Sequence, residues 1–333
     1  MIKKNIYKIF IISLIYFLPK WLFSFYLFEE DILNKIIFEI DGDGRYYLPF
    51  IKYFSEINFS NSFDSQIVGL KNIAIPFGTL FIHSLLYLIT GSYSIIIFEF
   101  LAVFFFLLVF SNIINFFLPK IYGLPIAIFF LILPLLVQAP FLNDLPLINV
   151  FEGNFFNFRI HRPMMTTLLL LLFILVMMSI SQNGWNNKRS FFLGIILTAT
   201  LSGFYYYFIV MFLVIMMYVS SIYKFNYLQF LKDNFKNILI LSVTFIFLSI
   251  PFILNNFFYE EDFLERIGII FLDENKKLKI LQYYLVKIFD IKFIIFTLIA
   301  CLLFLFIKKK DANVYKYLYF FFIIFISSIV SPF

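Results

Sequence analysis

Charge is scarce in this chain: 14% of its 333 residues are Asp, Glu, Lys or Arg, against about 25% in ordinary soluble domains. Apolar residues take the place of that charge. They make up 62% of the chain, with 53 Phe among them and a mean hydropathy of +0.95. A single water-facing globule cannot bury so much apolar surface, so a soluble fold is excluded. Cysteine is nearly missing as well. The one thiol, Cys301, stands inside an apolar run, so an intrachain disulfide is excluded and the residue reads as packing. Alternating polarity over ~10-residue stretches is lacking, which excludes a transmembrane β-barrel. No repeat of 20–50 residues and no separate soluble segment stands out. The N-terminal MIKKNIYK precedes an apolar stretch, 9–28, with no small-x-small cleavage site. That stretch is too long for a signal-peptide core and reads as an uncleaved first span.

What is present is a series of long, continuous apolar runs, each near the ~20 residues that a spanning helix needs. After the first they lie at 92–118, 124–142, 164–181, 191–222, 237–256, 290–307 and 314–333. As one helix the run 191–222 would reach ~48 Å at 1.5 Å per residue. Ser202 and Gly203 stand near its middle, and two short spans meeting at a turn fit its length better. The pattern predicts an all-α, polytopic transmembrane helical bundle of about nine spans, a single domain over 1–333.

Sidedness follows from the basic residues. Lys3, Lys4 and Lys8 place the N-terminus in the cytoplasm and the acidic stretch Glu29, Glu30, Asp31, Glu39, Asp41 and Asp43 outside, within a long first external loop, 28–91. Lys120, Lys188, Arg189, Lys224, Lys232, Lys236 and the run Lys308, Lys309, Lys310 then all fall inside. The net charge of +6 is thereby explained by placement, and no nucleic acid partner is called for. The segment 73–90, with Pro76, Gly78 and His83, is joined to the next run by Gly91 alone. As a crossing it would move Lys120, Lys188 and Arg189 outside, so it reads as a helix at the outer interface. The segment 257–289 is amphipathic and external. The last run stops at Phe333 with no loop after it, and the expectation is that the sequence is C-terminally truncated.

Several residues bear on chemistry. Asp41 and Asp43 alternate with Gly42 and Gly44, so the backbone can turn tightly and bring two carboxylates to one point. That arrangement suits a divalent cation or a sugar hydroxyl; the plain alternative is a solvated turn. Arg159, His161 and Arg162 form an external basic cluster, against the positive-inside trend. A lipid phosphate is one reason for it, and an interfacial anchor or a partner for Asp144, Glu152 or the first-loop acids is the other. Lys71 is a weaker cation of the same kind, and Lys20 reads as a snorkelling side chain. Glu99 lies within a span, where charge pairing predicts a Lys or Arg on a neighbouring helix. His83 has no second His at ligand spacing and reads as a hydrogen-bonded residue. Phe204 to Phe208 form an interfacial aromatic belt or, alternatively, a platform for stacking a sugar.

The order of these features carries a resemblance. An N-terminal span leads to an acidic external segment with an aromatic four residues on, Asp43 with Tyr47 in DGRYYL. A polar stretch follows, then the Pro-containing segment KNIAIPFGTLFIHSLLYLITG, then a fresh span opening SYSIIIFEF. Over about residues 1–120 this layout resembles the GT-C class of lipid-carrier-dependent glycosyltransferases, as in the aminoarabinose transferases and protein O-mannosyltransferases. Those families show D-E-x-x-Y and K-P-P-x-x-x-W; here Gly44 follows the acid, the second element is reduced to Lys71 and Pro76, and Glu99 stands near where Arg is common. The resemblance implies a membrane glycosyltransferase of the bacterial inner membrane. It would move a sugar from a polyprenyl-phosphate carrier to a lipid or glycan acceptor at the external, periplasmic face. It further implies Asp43 as general base and Asp41 as second acid, with a divalent metal such as Mg or Mn at the pair. Tyr47, Lys71, Arg159, His161 and Arg162 would be substrate-binding. Two rivals differ in layout. An O-antigen-type polysaccharide polymerase places its largest external loop late in the chain. A lipid-linked oligosaccharide flippase or transporter spreads charge through many spans or shows two related halves.

Overall fold

The computed structural model describes residues 2–28, 44–57, 77–137, 164–202 and 205–256, with 278, 279 and 282. Among them all regular structure is helical: α1 (Ile2–Phe28), α2 (Gly44–Ser55), α3 (Phe77–Thr90), a 3-10 turn (Gly91–Tyr93), α4 (Ser94–Phe117), α5 (Lys120–Val137), α6 (Met165–Asn183), α7 (Asn187–Leu201), α8 (Tyr205–Tyr223), α9 (Tyr227–Asp233) and α10 (Phe235–Asn256). Among the described residues, four helical stretches are long and apolar enough to cross a membrane: Ile6–Phe23, Phe77–Phe117, Met165–Asn183 and Phe235–Ile253. This content fits a membrane protein. The expected runs 290–307 and 314–333 and the segment 257–289 fall outside the described residues, apart from 278, 279 and 282.

Two of the apolar stretches are broken by a turn. Residues eleven apart in a straight helix are separated by ~16 Å. Yet His83 Nε2 lies 2.9 Å from Ser94 Oγ, so α3 meets the start of α4 at a sharp bend instead of continuing straight into it. Gly91, at φ +57°, supplies the left-handed residue of that turn. In the same way Thr200 Oγ1 donates to Met211 Sδ at 3.6 Å, so the run 191–222 is a pair of helices that turn back after Ser202. At ~22 Å for α7 and ~28 Å for α8 they are both shorter than an average bilayer core.

Contacts set the helix directions. Trp21 lies against Glu99, Phe17 against Phe100 (5.5 Å) and Phe10 against Phe104 (6.3 Å), so α1 runs antiparallel to α4. Phe110 packs edge-on against Phe130 at 5.2 Å, and Gly123 faces Asn115 with no room for a Cβ, which makes α4 and α5 an antiparallel hairpin. Lys120 therefore shares an end with the start of α1. Further along, Gly194 faces Leu241 and Thr244, and Thr198 Oγ1 lies 3.4 Å from the Phe245 carbonyl, so α7 and α10 run parallel.

One end of the α6–α10 group is rich in cations. Arg189 closes the α6–α7 turn through Nε to Ser179 Oγ (2.9 Å) and Nη1 to the carbonyls of Gly184 (2.8 Å) and Asn183 (3.3 Å). Asn186 caps α7 by accepting from the Arg189 backbone N–H at 2.9 Å. Trp185 in that turn meets Phe230 of α9 at 5.6 Å, and Phe230 meets Tyr223 at the end of α8 at 5.2 Å. Asn234 Nδ2 donates to Tyr223 Oη at 3.0 Å. Lys188, Arg189, Lys224, Lys232 and Lys236 consequently gather at this end, as the reading of the sequence required of residues sharing one side.

Candidate functional site at the aromatic end

The opposite end is built by α2 and α3. In α2 the residues Tyr47, Phe50, Ile51 and Phe54 recur at spacings of three, one and three, which puts them on one face of a helix. That face packs on α3, and the cluster it joins extends to the end of α7 and the late part of α10. Phe50, Ile51, Phe54, Phe77, Leu80 and Phe252 are buried together, with Tyr47, Phe81, Tyr87 and Leu201 against them. Phe54 and Phe77 stand 4.7 Å apart, and Phe77 stacks on Phe81 at 6.1 Å. Each such side chain contributes about 1.5–3 kcal/mol when removed from water. This is enough to hold a 12-residue helix in place.

Close approach fixes α3 against α7. A Cβ at Gly78 would stand 2.5 Å from Ser202 Oγ, 2.6 Å from the Ala199 carbonyl oxygen and 2.8 Å from Ala199 Cα. Only glycine lets the backbones meet there. Because α3 touches the end of α7 through Gly78 and the start of α4 through His83, the starts of α3 and α4 lie on the same side of the bundle as α2.

A polar group lies just beneath. Glu99, 8% exposed, accepts a hydrogen bond from Trp21 Nε1 at 3.1 Å, and Tyr16 lies within electrostatic reach of its carboxylate. His83 is fully buried, bonded to Ser94 and stacked on Phe98 at 4.4 Å with the rings 9° from parallel. Charge pairing predicts a cation beside Glu99; among the described contacts, the indole N–H of Trp21 satisfies one of its carboxylate oxygens. His83 is hydrogen-bonded, as its lack of a nearby second His implies.

Of the site residues named from the sequence, Tyr47 alone is described. It sits on α2, half-buried in the aromatic cluster. Asp41, Asp43, Lys71, Arg159, His161 and Arg162 lie outside the described residues. In the sequence, α2 begins at the residue after Asp43. Among the described residues no group of three or more His, Cys, Asp or Glu stands ready for a metal, and the Asp41–Asp43 pair is not among them.

Sequence reasoning passed over the Trp21–Glu99 bond and helix α9. The first joins residues 78 apart and leaves no local trace. The second has a signal: Asn226 accepts from the Gln229 backbone N–H at 3.1 Å, an N-cap followed three residues later by Gln. No protein-family model matches the chain, and neither a curated protein nor a solved structure is found similar to it.

Proposed function

We propose that the protein is a membrane glycosyltransferase of GT-C type, acting at the aromatic end on a polyprenyl-phosphate sugar and a lipid or glycan acceptor. The observation that carries the reading is α2: a short amphipathic helix, reached directly from Asp43, clamped over one end of the bundle by Phe50, Ile51, Phe54 and Phe77. Positioning is the main thing such a transfer needs from its enzyme, and α2 is the packed element that follows the proposed base in the sequence. The cation-rich end is then the cytoplasmic one, with the N-terminus on the same side, in a bundle of about nine spans in a bacterial inner membrane.

In this mechanism Asp43 takes the proton from the acceptor hydroxyl as its oxygen attacks the anomeric carbon. The bond from that carbon to the phosphate oxygen breaks, and the carrier phosphate leaves with the electron pair. Arg159 and Arg162, with His161 beside them, hold the departing phosphate by charge-assisted bonds. Tyr47 orients the loop from α2, and Asp41 is the second acid.

The test is transfer by purified full-length chain in detergent, with a panel of radiolabelled polyprenyl-phosphate sugars and membrane lipid extract as acceptor. Asp43→Asn keeps the shape and removes proton acceptance, and its rate should fall about 10²- to 10⁴-fold. Near wild-type turnover in both Asp43→Asn and Asp41→Asn would refute the assignment.

A further inference from the structure

At the cation-rich end α9 and the start of α10 form an elbow around an open apolar groove of about 570 Å³, lined in part by Leu228, Leu231, Lys232, Phe235, Leu239 and Ser242. The turn that leads from α8 into α9 is closely tied. Lys224 and Phe225 adopt left-handed backbone (φ +49° and +68°), Asn226 caps α9, and the Tyr227 and Ser220 hydroxyls are hydrogen-bonded at 2.5 Å. Leu228 is 72% and Phe235 67% exposed, which is costly in water and natural in hydrocarbon.

We propose that this groove is a binding site for one anionic phospholipid, its acyl chain along α10 and its phosphate at Lys232 and Lys236. The proposal rests on membrane placement and not on the transferase reading. Two features select the occupant. The apolar floor continues from the groove along α10 as the exposed stripe Leu239, Val243, Ile246, Ile250 and Ile253. That stripe is ~21 Å long at helical rise, enough for a chain that fills one leaflet of ~15 Å, half of the bilayer core. The second feature is charge. Lys232 lines the groove, Lys236 follows one helical turn later, and Lys224 closes the preceding turn. The acid on α9, Asp233, accepts from the Gln229 side-chain amide at 3.3 Å to each oxygen, which holds its charge toward Gln229. An acyl groove with cations at its mouth is complementary to an anionic headgroup; a zwitterionic one brings its own positive charge to the same lysines.

Native mass spectrometry of the full chain, titrated with phosphatidylglycerol or with phosphatidylcholine of the same acyl chains, reads the preference directly. The wild type should retain phosphatidylglycerol selectively. Near the membrane surface one lysine is worth about a five-fold change in binding, so Lys232→Ala should weaken phosphatidylglycerol about five-fold and Lys232→Ala with Lys236→Ala about thirty-fold. Phosphatidylcholine binding should stay within about two-fold throughout, because only the charge has been removed. The charge-preserving pair Lys232→Arg with Lys236→Arg should keep the preference, and Lys188→Ala, at the same end but outside the groove, should leave it unchanged. Equal retention of both lipids by the wild type would overturn the proposal. So would an equal loss in Lys188→Ala, which would assign the preference to diffuse surface potential, or a second copy of the chain occupying the groove in place of lipid.

Discussion

Adding one methyl group at Gly78 tests the packing of the aromatic end. In Gly78→Ala the new carbon falls 0.6–0.9 Å short of the 3.4 Å at which ordinary contact begins, and two of its three neighbours are backbone atoms of Ala199 that cannot rotate away. Helix α3 must therefore retreat from α7 by a comparable distance. A gap of ~0.5–1 Å already forfeits a quarter to a half of each dispersion contact, and Phe77 and Leu80 beside it are buried. Overpacking of this kind costs about 1–3 kcal/mol. The opposing term is the better helix propensity of alanine, about 0.5–1 kcal/mol in a helix interior and less at the second residue of α3. The loss wins by about 1–2 kcal/mol, which lowers Tm by roughly 1–3 °C for a domain of 333 residues at ~2.1 cal/mol/K of unfolding entropy per residue. Thermal unfolding of the purified protein in detergent, followed by helical circular dichroism, measures it. Ser202→Ala in the Gly78→Ala background removes one clash of three and should restore only part of the loss. Gly194→Ala, whose Cβ would meet its nearest neighbours at 3.0–3.1 Å, should cost less than Gly78→Ala. A Gly78→Ala protein that melts at or above the wild-type temperature would refute the close approach of α3 and α7.

Trp21→Phe keeps the ring and deletes the N–H that reaches Glu99; it should destabilise by about 1–2 kcal/mol, and Glu99→Gln should cost less in that background than alone, a coupling that a double-mutant cycle of unfolding measurements would show to be zero if the two do not interact. Arg189→Ala removes the donor to Ser179, Asn183 and Gly184 and should lower Tm by several degrees; Arg189→Lys should recover under half of it, because an ammonium lacks the guanidinium fork, and a wild-type melt for Arg189→Ala would remove the side chain from the turn. An alkaline phosphatase fused after Lys188 should be inactive and a green fluorescent protein at the same position bright; strong phosphatase activity there would put the cation-rich end outside.

Hydropathy located the helices well because an apolar run of twenty residues has few other uses. The runs 92–118, 164–181 and 237–256 appear as α4, α6 and α10, within a few residues at each end. The break at Ser202 was legible from length alone, since no single helix of ~48 Å suits a bilayer. Segment 73–90 forms a helix of its own, α3, separated from α4 by the turn at Gly91–Tyr93, yet its contact with the start of α4 depends on His83 finding Ser94, and hydropathy says nothing of partners. Helix α2 was expected only as one of the helices carried by the first external loop, although Tyr47, Phe50, Ile51 and Phe54 already trace its buried face. For Glu99 the cost of a buried charge was legible and the identity of its neighbour was not: an indole N–H does not announce itself in a list of charges. The acids and arginines that would carry the chemistry were chosen from local pattern and family likeness, and of them the described fold reaches only Tyr47.

The bond between Trp21 and Glu99 also has a meaning in time. The two residues are separated by 78 positions, and at ~5–20 residues per second of synthesis the indole leaves the ribosome ~4–16 s before the carboxylate that it will serve. During that interval the first helix must persist in the membrane alone, held by its own apolar surface and its leading lysines. When the fourth helix arrives it brings one acid near its leading end, where the penalty for insertion is smaller than at the bilayer centre, and the waiting indole gives that acid a place to dock. Assembly of the bundle thus has an order written into it: the oldest helix is the receiver, and the carboxylate reaches a hydrogen-bond donor that was made before it.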